Sequence, residues 1–254
     1  MKRILVPTDF SEQAENALKV AAQLAKKNES EIYVLNSLEL PTHLSSSGDN
    51  GAMPESLFFI KLAEKYFEEL LKKPYLDGLL IHEAIIGHEE VYKDVNEVVK
   101  ERNIDLVIMG SQGNNGFMEF FIGSNTEKVV RTSKIPVLVI KNNHEDFKTD
   151  NFVYATDFSN ECKAPFNQAI KFAEETNTHI KLLYINTPSE FKTTKEINTK
   201  IKSFLKDMDD SNLSVHIYND ISIEKGILNF ASETNAHLIG MGTHGRRGLA
   251  HFFN

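Results

Sequence analysis

Cysteine is almost absent from this chain, which has one, Cys162, among its 254 residues. A single cysteine forms no intrachain disulfide, so the class of small disulfide-stapled secreted domains is excluded. No apolar run approaches the roughly 18 residues that a membrane-spanning helix needs. Met1-Lys2-Arg3 also leads straight into a strand-like segment that lacks the small-residue cleavage site of a secretory signal. We therefore expect a cytoplasmic protein without a membrane partner.

Positive charge is also scarce. Lysine and arginine together number 28 against 36 aspartates and glutamates, which gives a formal net charge of -8. Proteins that bind nucleic acids neutralise phosphates with basic side chains, so a nucleic-acid partner is not expected. Hydrophobic residues make up 41% of the chain and charged residues 25%. This is the balance of an ordinary globular protein with one or two sizeable cores.

Short apolar segments alternate with stretches of helical periodicity along the first half of the chain. The apolar segments are strand candidates, and they lie at 3–7, 32–35, 79–86, 106–109 and 135–140. The intervening stretches repeat apolar residues at helical spacing, as from Ala14 to Leu24. Strands that alternate with helices predict crossover units and a parallel sheet covered on both faces.

The same order begins again in the second half. Thr8-Asp9-Phe10-Ser11 recurs as Thr156-Asp157-Phe158-Ser159, and residues 105–113 recur as 237–245. We interpret this self-similarity as a tandem duplication. The polar stretch 141–151 reads as a linker, so the predicted domains are 1–146 and 147–254.

The second copy stops early. By the repeat, the counterpart of Gly123 would fall just after Asn254. The positions for its last helix and fifth strand would follow. We expect either a truncated second domain or a sequence that covers only part of it.

A glycine-rich segment follows the fourth strand candidate. Gly110 and Gly113 come directly after the strand, and Gly123-Ser124 precedes a helix that the S-x-x-E pattern of Ser124 to Glu127 predicts. Glycines let the backbone approach a ligand, and a helix N-terminus favours anions, so the segment predicts a phosphate site. The alternative is an ordinary strand–loop–helix connection whose glycines serve only to turn the chain.

These motifs together resemble the universal stress protein family. The resemblance rests on Val6-Pro7-Thr8-Asp9-Phe10-Ser11, on the glycine pattern from 110 to 124 and on the strand 135–139, and it extends over essentially the whole chain. It implies an α/β fold of two tandem Rossmann-like (adenine nucleotide alpha hydrolase-like) domains. Each would be a parallel sheet of order 3-2-1-4-5 with helices on both faces. The resemblance also implies that the two domains pair and that the chain forms a dimer or another homo-oligomer.

The resemblance further implies an ATP site in the first domain, with Mg²⁺ accompanying the phosphates. The implied nucleotide-binding residues are Pro7, Thr8, Asp9, Ser37, Met109, Gly110, Gly113, Gly123, Ser124 and Asn125. Pro7 and Asp9 would lie beside the adenosine, and Ser37 would contact the base through its backbone. Met109 would pack against the base and Gly110 would approach the ribose. The last four residues of the set would hold phosphates through backbone N–H groups and the serine hydroxyl. Alternatively, Asp9 serves only as the cap of the following helix.

The second copy keeps fewer of these features. Its nucleotide-binding candidates are Asp157, Gly242 and Gly245, but Ala155 replaces the proline. Pro165 falls inside the helix expected to begin at Ser159, where it would remove an interior hydrogen bond.

Several other motifs are set aside. Residues 240–245 fit G-x-G-x-x-G, but they follow a fourth strand rather than the first strand of a unit, so a dinucleotide site is not predicted. His237, His244 and His251 are equally spaced but span different elements, so no metal site is expected. Cys162 has no C-x-x-C partner, so a reactive thiol is the alternative and not the expected role.

No serine, histidine and aspartate set suggests hydrolase chemistry. The leading hypothesis is an ATP-binding regulatory module for stress responses, and catalysis is not expected beyond slow ATP hydrolysis. The alternatives are a weak ATPase or an interaction protein that binds no nucleotide.

Overall fold

The structure is a computed structural model that describes residues 1–38, 52–86, 90–111, 123–206, 208 and 212–243. The chain divides into two compact units, Met1–Phe147 and Lys148–Asn254. Within its described parts, no helix combines the length and the apolar character needed to cross a bilayer.

The first unit is a parallel α/β domain. Its elements are β1 (Arg3–Pro7), α1 (Glu12–Asn28), β2 (Glu31–Ser37), α2 (Ala52–Leu70), β3 (Ile81–Ile86), α3 (Val91–Glu101), β4 (Leu106–Gly110), α4 (Ser124–Thr132) and β5 (Val137–Ile140). The strands form one sheet in the order β3-β2-β1-β4-β5, and all pairs are parallel. The predicted order is therefore confirmed in this domain.

The second unit repeats this plan. Its elements are β6 (Asn151–Ala155), α5 (Lys163–Thr176), β7 (His179–Asn186), α6 (Thr194–Leu205), β8 (Leu213–Asn219), α7 (Ile223–Glu233) and β9 (Leu238–Met241). The described residues form a four-stranded sheet in the order β8-β7-β6-β9, again with parallel pairs. These strands occupy the positions of the first four strands of the first domain.

The central strands of each sheet, β1 and β2 in the first domain and β6 and β7 in the second, are largely buried on both faces, as their near-continuous apolar runs predict. In the first domain, Leu5, Leu35 and Val107 pack with Val95 of α3 and Val129 of α4. In the second domain, one face packs on α7 through Ile227 and Phe230. The other face packs on α5 and α6 around a group of aromatic rings that comprises Phe152, Tyr154, Phe158, Phe166 and Phe204.

The size of the neighbouring rings explains why position 240 is a glycine. A Cβ added there would lie 2.7 Å from the Phe152 ring and 3.0 Å from the Tyr154 ring. At the equivalent position the first domain has Ile108, whose β1 neighbours Ile4 and Val6 are smaller. The glycine makes room for larger neighbours, which is a packing reason for the G-x-G-x-x-G match.

The helix that follows the first strand begins differently in the two domains. Ser11 caps α1, and its side chain accepts a hydrogen bond from the backbone N–H of Ala14. In the second domain a 3₁₀ turn, Asn160–Cys162, precedes α5, which begins only at Lys163. The expected start at Ser159 is therefore wrong. Because Pro165 lies in the first turn of α5, where N–H groups have no intrahelical acceptor, it removes no helical hydrogen bond.

Candidate functional site

The candidate site lies at the carboxyl edge of the first sheet. From β1 the chain builds the sheet outward through β2 to β3, and later on the other side through β4 to β5. The strand order therefore reverses between β1 and β4. Open parallel sheets bind ligands in the crevice at such a switch point. The described residues among those predicted from the sequence lie at the ends of β1, β2 and β4, directly after β1, and at the start of α4.

The turn after β1 is held by its own side chains. The backbone N–H of Phe10 donates to Thr8 Oγ1 at 3.0 Å, and that of Ser11 donates to Asp9 Oδ1 at 3.0 Å. Phe10 adopts a left-handed backbone conformation with φ of 62°. Since Ser11 is the cap of α1, the alternative that Asp9 caps this helix is wrong. Asp9 is exposed and braces the turn with one carboxylate oxygen.

The second domain repeats this turn in detail. Phe158 has φ of 57°, and the matching hydrogen bonds to Thr156 Oγ1 and Asp157 Oδ1 measure 3.1 and 2.8 Å. The repeated motif therefore has a structural reason in both copies. The copies differ at the carboxylate, because the Cys162 thiol also donates to Asp157 Oδ1, at 3.2 Å. Burial alone would raise the pKa of Asp157, but hydrogen bonds from Ser159 and Cys162 leave it lowered.

Pro7 and Thr8 join the ends of β1 and β2. Pro7 is buried, and the Thr8 N–H donates to the Leu35 carbonyl at 2.8 Å. The side-chain amide of Asn36 donates to the Thr8 carbonyl at 2.8 Å. Asn36 is 6% exposed, and its Oδ1 has no hydrogen-bond partner in the structure that the described residues form. Buried polar atoms normally have a partner, so this acceptor marks a place where a donor fits.

The Ser37 side chain is hydrogen-bonded within the domain. Its hydroxyl donates to the carboxylate of Asp94, a fully buried residue of α3. The hydroxyl is thus engaged inside the domain. The predicted contact of Ser37 with a base through its backbone stays a prediction.

Gly110 and Met109 both have structural roles at the end of β4. A Cβ added to Gly110 would lie 2.5 Å from the backbone oxygen of Gln13, in the first turn of α1. Met109 is 6% exposed and packs in the core with Val129. The close approach of α1 therefore requires the glycine, and the predicted ligand contacts of Met109 and Gly110 stay predictions.

Thr126 ties α4 to the end of β4. This buried side chain donates from its hydroxyl to the Gly110 carbonyl at 3.0 Å. The bond brings the two ends of the glycine-rich segment together and fixes where the N-terminus of α4 lies. Neither Thr126 nor Asn36 was predicted from the sequence. A polar residue in the apolar run of β2 was an available signal for Asn36.

The start of α4 corrects one prediction. The N-cap is Gly123, and Ser124 is the first helical residue, so Ser124 to Glu127 does not form the predicted capping box. Ser124 and Asn125 are exposed in the first turn. Glu127 pairs with Arg131 at 2.7 Å, which offsets the negative charge that it places near this helix end. The exposed turn leaves backbone N–H groups and a serine hydroxyl at the carboxyl edge of the sheet.

Two predicted residues, Gly113 and Gly245, lie outside the described residues. In the second domain, a Cβ added to Gly242 would lie 3.4 Å from Pro165 and 3.8 Å from the Tyr154 hydroxyl, which is ordinary contact. The close strand–helix approach seen at Gly110 is therefore not repeated there. His237 Nδ1 pairs with Asp150 at 2.9 Å. The described residues contain no group of three or more histidine, cysteine, aspartate or glutamate side chains placed to hold a metal.

Comparisons with known proteins agree with this architecture. The universal stress protein family matches the chain twice, at residues 1–141 and 148–253. Universal stress protein MJ0577 of Methanocaldococcus jannaschii is 36% identical over 159 residues, which cover 55% of this chain and 94% of that protein. A universal stress protein structure from Archaeoglobus fulgidus DSM 4304 superposes with a TM-score of 0.70 at 23% identity. That match covers 94% of this chain and 86% of the other.

A further structure is that of a universal stress protein in complex with cAMP. The match covers 55% of this chain and 96% of that chain, with a TM-score of 0.37 and 18% identity. The fold and the two family matches agree with the motifs in the sequence. The chain belongs to the universal stress protein family as a member with two tandem domains.

Proposed function

We propose that the first domain binds an adenine nucleotide, ATP with Mg²⁺, and that the protein acts as a regulatory module in stress responses. The main support for this proposal is that Asp9, Asn36 and the exposed first turn of α4 all lie at the carboxyl edge of one sheet, around its switch point. The proposal also includes the cytoplasmic location expected from the sequence and the dimer that the family resemblance implies.

Asp9 supports the sugar end of the site. One of its oxygens accepts from Ser11, and the side chain is exposed. The carboxylate is thus held in a fixed orientation at a solvent-facing position. A ribose hydroxyl is a suitable donor to its other oxygen, since hydrogen bonds to charged groups are stronger than those to neutral ones.

The first turn of α4 supports the phosphate end. Its N–H groups and the helix dipole favour an anion. Thr126 holds this turn against Gly110, which supports a fixed distance between the end of β4 and the proposed phosphate position. Mg²⁺ would be held mainly by the phosphates, because the described residues contain no metal-binding cluster.

Asn36 supports the base end. Its unpartnered Oδ1 lies beside Thr8, at the end of β2. The atom is enclosed in the structure, so an exocyclic amine such as that of adenine reaches it only if the surrounding groups move aside. An unpaired buried acceptor costs about 1–3 kcal/mol, so a ligand or a water molecule that supplies the donor stabilises the domain.

The second domain is a weaker candidate. Its Asp157 accepts from both Ser159 and Cys162, and Gly242 does not repeat the close strand–helix approach of Gly110. We therefore assign the nucleotide to the first domain. Asp157, Gly242 and Gly245 remain the candidates if the second domain also binds.

Isothermal titration calorimetry of the whole chain with Mg²⁺ and ATP tests the assignment. Asp9→Asn keeps an oxygen for the turn but removes the charge, so we expect the affinity to fall about tenfold to a hundredfold. Asp157→Asn makes the matched change in the second domain and is expected to leave the affinity within twofold. Equal effects of the two variants would contradict the assignment.

Native mass spectrometry of freshly purified, undialysed protein separates the alternatives. A retained mass matching an adenine nucleotide supports the proposal. A bare chain that also shows no shift with added Mg²⁺ and ATP favours the interaction protein. Phosphate release above that of a Gly123→Val control would indicate a weak ATPase.

A further inference from the structure

The second domain carries a chain of hydrogen bonds around Ser214 on the α7 face of its sheet, near the amino ends of β7 and β8. His179 of β7 and His216 of β8 both direct Nε2 at Ser214 Oγ, each at 3.0 Å. On the other side of the His179 ring, Nδ1 lies 3.3 Å from Asn212 Oδ1. This cluster lies at the opposite end of the strands from the carboxyl edge. It therefore has no part in the nucleotide site proposed above.

The direction of each hydrogen bond follows from one fixed amide. The Asn212 side-chain nitrogen donates to the Thr178 carbonyl at 2.8 Å, so the atom facing His179 is the acceptor Oδ1. His179 Nδ1 must then carry the proton, which leaves the Nε2 of the neutral ring as an acceptor. Ser214 donates its only hydroxyl hydrogen to that nitrogen. His216 Nε2 must in turn donate to Ser214 Oγ.

This order is that of a nucleophile, a general base and an orienting group. Asn212 holds the His179 ring, and His179 is hydrogen-bonded to the Ser214 hydroxyl. Burial lowers the pKa of His216, and the positive charge of Lys181 lowers it further, so the neutral form of that ring is favoured. Lys181 is also the register partner of Ser214 on the adjacent strand.

We infer that Ser214 is a nucleophile for acyl transfer from small activated esters, with His179 as its general base and Asn212 as a positioning residue. Ser214 Oγ attacks the ester carbonyl carbon while its proton passes to His179 Nε2. The bond to the leaving oxygen then breaks, and that oxygen takes the proton from His179 as the alcohol departs. Water hydrolyses the acyl-serine by the same proton route and releases the acid.

Two neighbours support this step in different ways. The His216 Nε2–H, donated to Ser214 Oγ, fixes the rotation of the hydroxyl so that its own hydrogen faces His179. The ammonium of Lys181 favours the negative charge that develops on the carbonyl oxygen of the attacked ester. His179 and Asn212 are exposed, so the cluster is open to solvent and to small esters. The first domain has Glu31, Leu80, His82 and Ala84 at the positions of His179, Asn212, Ser214 and His216. The arrangement therefore belongs to the second domain alone.

The test is covalent labelling of the whole chain with a fluorophosphonate, located by peptide mass spectrometry. We expect one adduct, on Ser214, that is lost in Ser214→Ala. A general base contributes roughly a hundredfold or more, so His179→Ala should slow labelling by at least that factor, and Asn212→Ala by about tenfold. Ser203→Ala, at an exposed serine of α6, is the matched control and should label as the unaltered chain does.

Hydrolysis of p-nitrophenyl acetate gives a second readout. Histidine side chains alone cleave this ester, so the decisive comparison is Ser214→Ala, which keeps His179 but should lose the burst of p-nitrophenol. No adduct, an adduct on another residue, or a burst that survives in Ser214→Ala would overturn the inference. Melting temperatures of all variants, measured alongside, show whether each one is folded. If Ser214→Ala is unfolded, the adduct position in the unaltered chain still decides.

Discussion

The hydroxyl of Ser37, at the end of β2, donates a hydrogen bond to the carboxylate of Asp94, which is fully buried on α3. In the second domain the equivalent contact contains no polar side chains. Ile185 stands at the position of Ser37 and Gly226 at that of Asp94, and a Cβ added to Gly226 would lie 2.7 Å from Ile185. Each domain thus has its own matched pair of residues at this contact. We expect that replacing only one residue of a pair by its counterpart from the other domain destabilises the domain.

The first prediction is that this pair is energetically coupled. Ser37→Ile takes a hydrogen-bond donor from a buried carboxylate and overfills the contact, so we expect a loss of about 3 kcal/mol of unfolding free energy. Adding Asp94→Gly recreates the pair of the second domain. The double variant should be more stable than the sum of the single variants predicts, by at least about 1.5 kcal/mol. Urea denaturation of all four chains measures the coupling.

Ile185→Ala and Gly226→Ala provide the control in the second domain. Ile185→Ala removes the Cγ2 and Cδ1 atoms, which lie 2.7 and 2.9 Å from a Cβ added at Gly226, whereas Gly226→Ala alone pushes against Ile185. The double variant should again recover part of the loss. Strict additivity in both domains would contradict the idea that the copies hold exchangeable pairs.

The second prediction is that alanine destabilises the protein at Gly110 but is tolerated at Gly242, the equivalent position of the second domain. In Gly110→Ala the new methyl group would lie 2.5 Å from a backbone oxygen of α1, so the helix or strand must move. We expect a cost of about 2–4 kcal/mol. In Gly242→Ala the nearest atoms are 3.4 Å away, on the Pro165 ring, and the change should be within about 0.5 kcal/mol. Thermal and urea unfolding of the two variants tests the difference.

Much of this fold follows from patterns that a sequence displays directly. Alternating strands and helices predict the parallel sheet, and the recurrence of Thr8-Asp9-Phe10-Ser11 as residues 156–159 predicts a second copy of it. The repeated turn confirms how strongly this motif determines local structure, since Phe10 and Phe158 share the same unusual φ.

The details of the candidate site were less predictable, because they depend on contacts between distant residues. Ser124 and Glu127 fit a capping box, yet the helix begins one residue earlier, with Gly123 as cap. The buried bond of Thr126 to Gly110 spans the glycine-rich segment and leaves no local signature. Likewise, Ser214 and His179 are far apart in sequence, and only the pairing of β7 with β8 brings them together.

The third prediction concerns Cys162 and pH. Burial raises the pKa of its thiol, and the nearby Asp157 carboxylate raises it further, while the Ser159 hydroxyl lowers it. A raised pKa means less thiolate at any given pH. At pH 8 we therefore expect iodoacetamide to modify the native chain at least about a hundredfold more slowly than the urea-unfolded chain. Intact-mass kinetics measure both rates.

Asp157→Asn removes one cause of the raised pKa and keeps an oxygen for the turn. Native Cys162 should then react several-fold faster at pH 8. Glu161→Gln removes an exposed charge next to Cys162 that makes no hydrogen bond to the thiol, so its effect should be smaller. Equal acceleration in the two variants would mean that overall charge, rather than the Asp157 contact, controls the thiol.

The last prediction tests whether Thr126 organises the proposed nucleotide site. Thr126→Val keeps the shape of the side chain but loses the hydrogen bond to the Gly110 carbonyl, which costs about 1 kcal/mol of stability. Because that bond fixes the start of α4 against the end of β4, affinity for Mg²⁺ and ATP should also fall about fivefold to tenfold. Calorimetry measures the affinity, and urea unfolding measures the stability.

Thr132→Val is the matched control at the other end of α4. Its hydroxyl donates to the Lys128 carbonyl and accepts from Asn96 at 2.9 Å. Both bonds are exposed, so water can replace them and the loss of stability should be no larger than in Thr126→Val. The phosphate end of the proposed site lies a full helix length away, and the affinity should stay within twofold. If both variants weakened binding equally, the effect would come from the stability of the domain. A selective loss in Thr126→Val would instead show that the position of the α4 N-terminus, set by one buried hydroxyl, governs how tightly the anion is held.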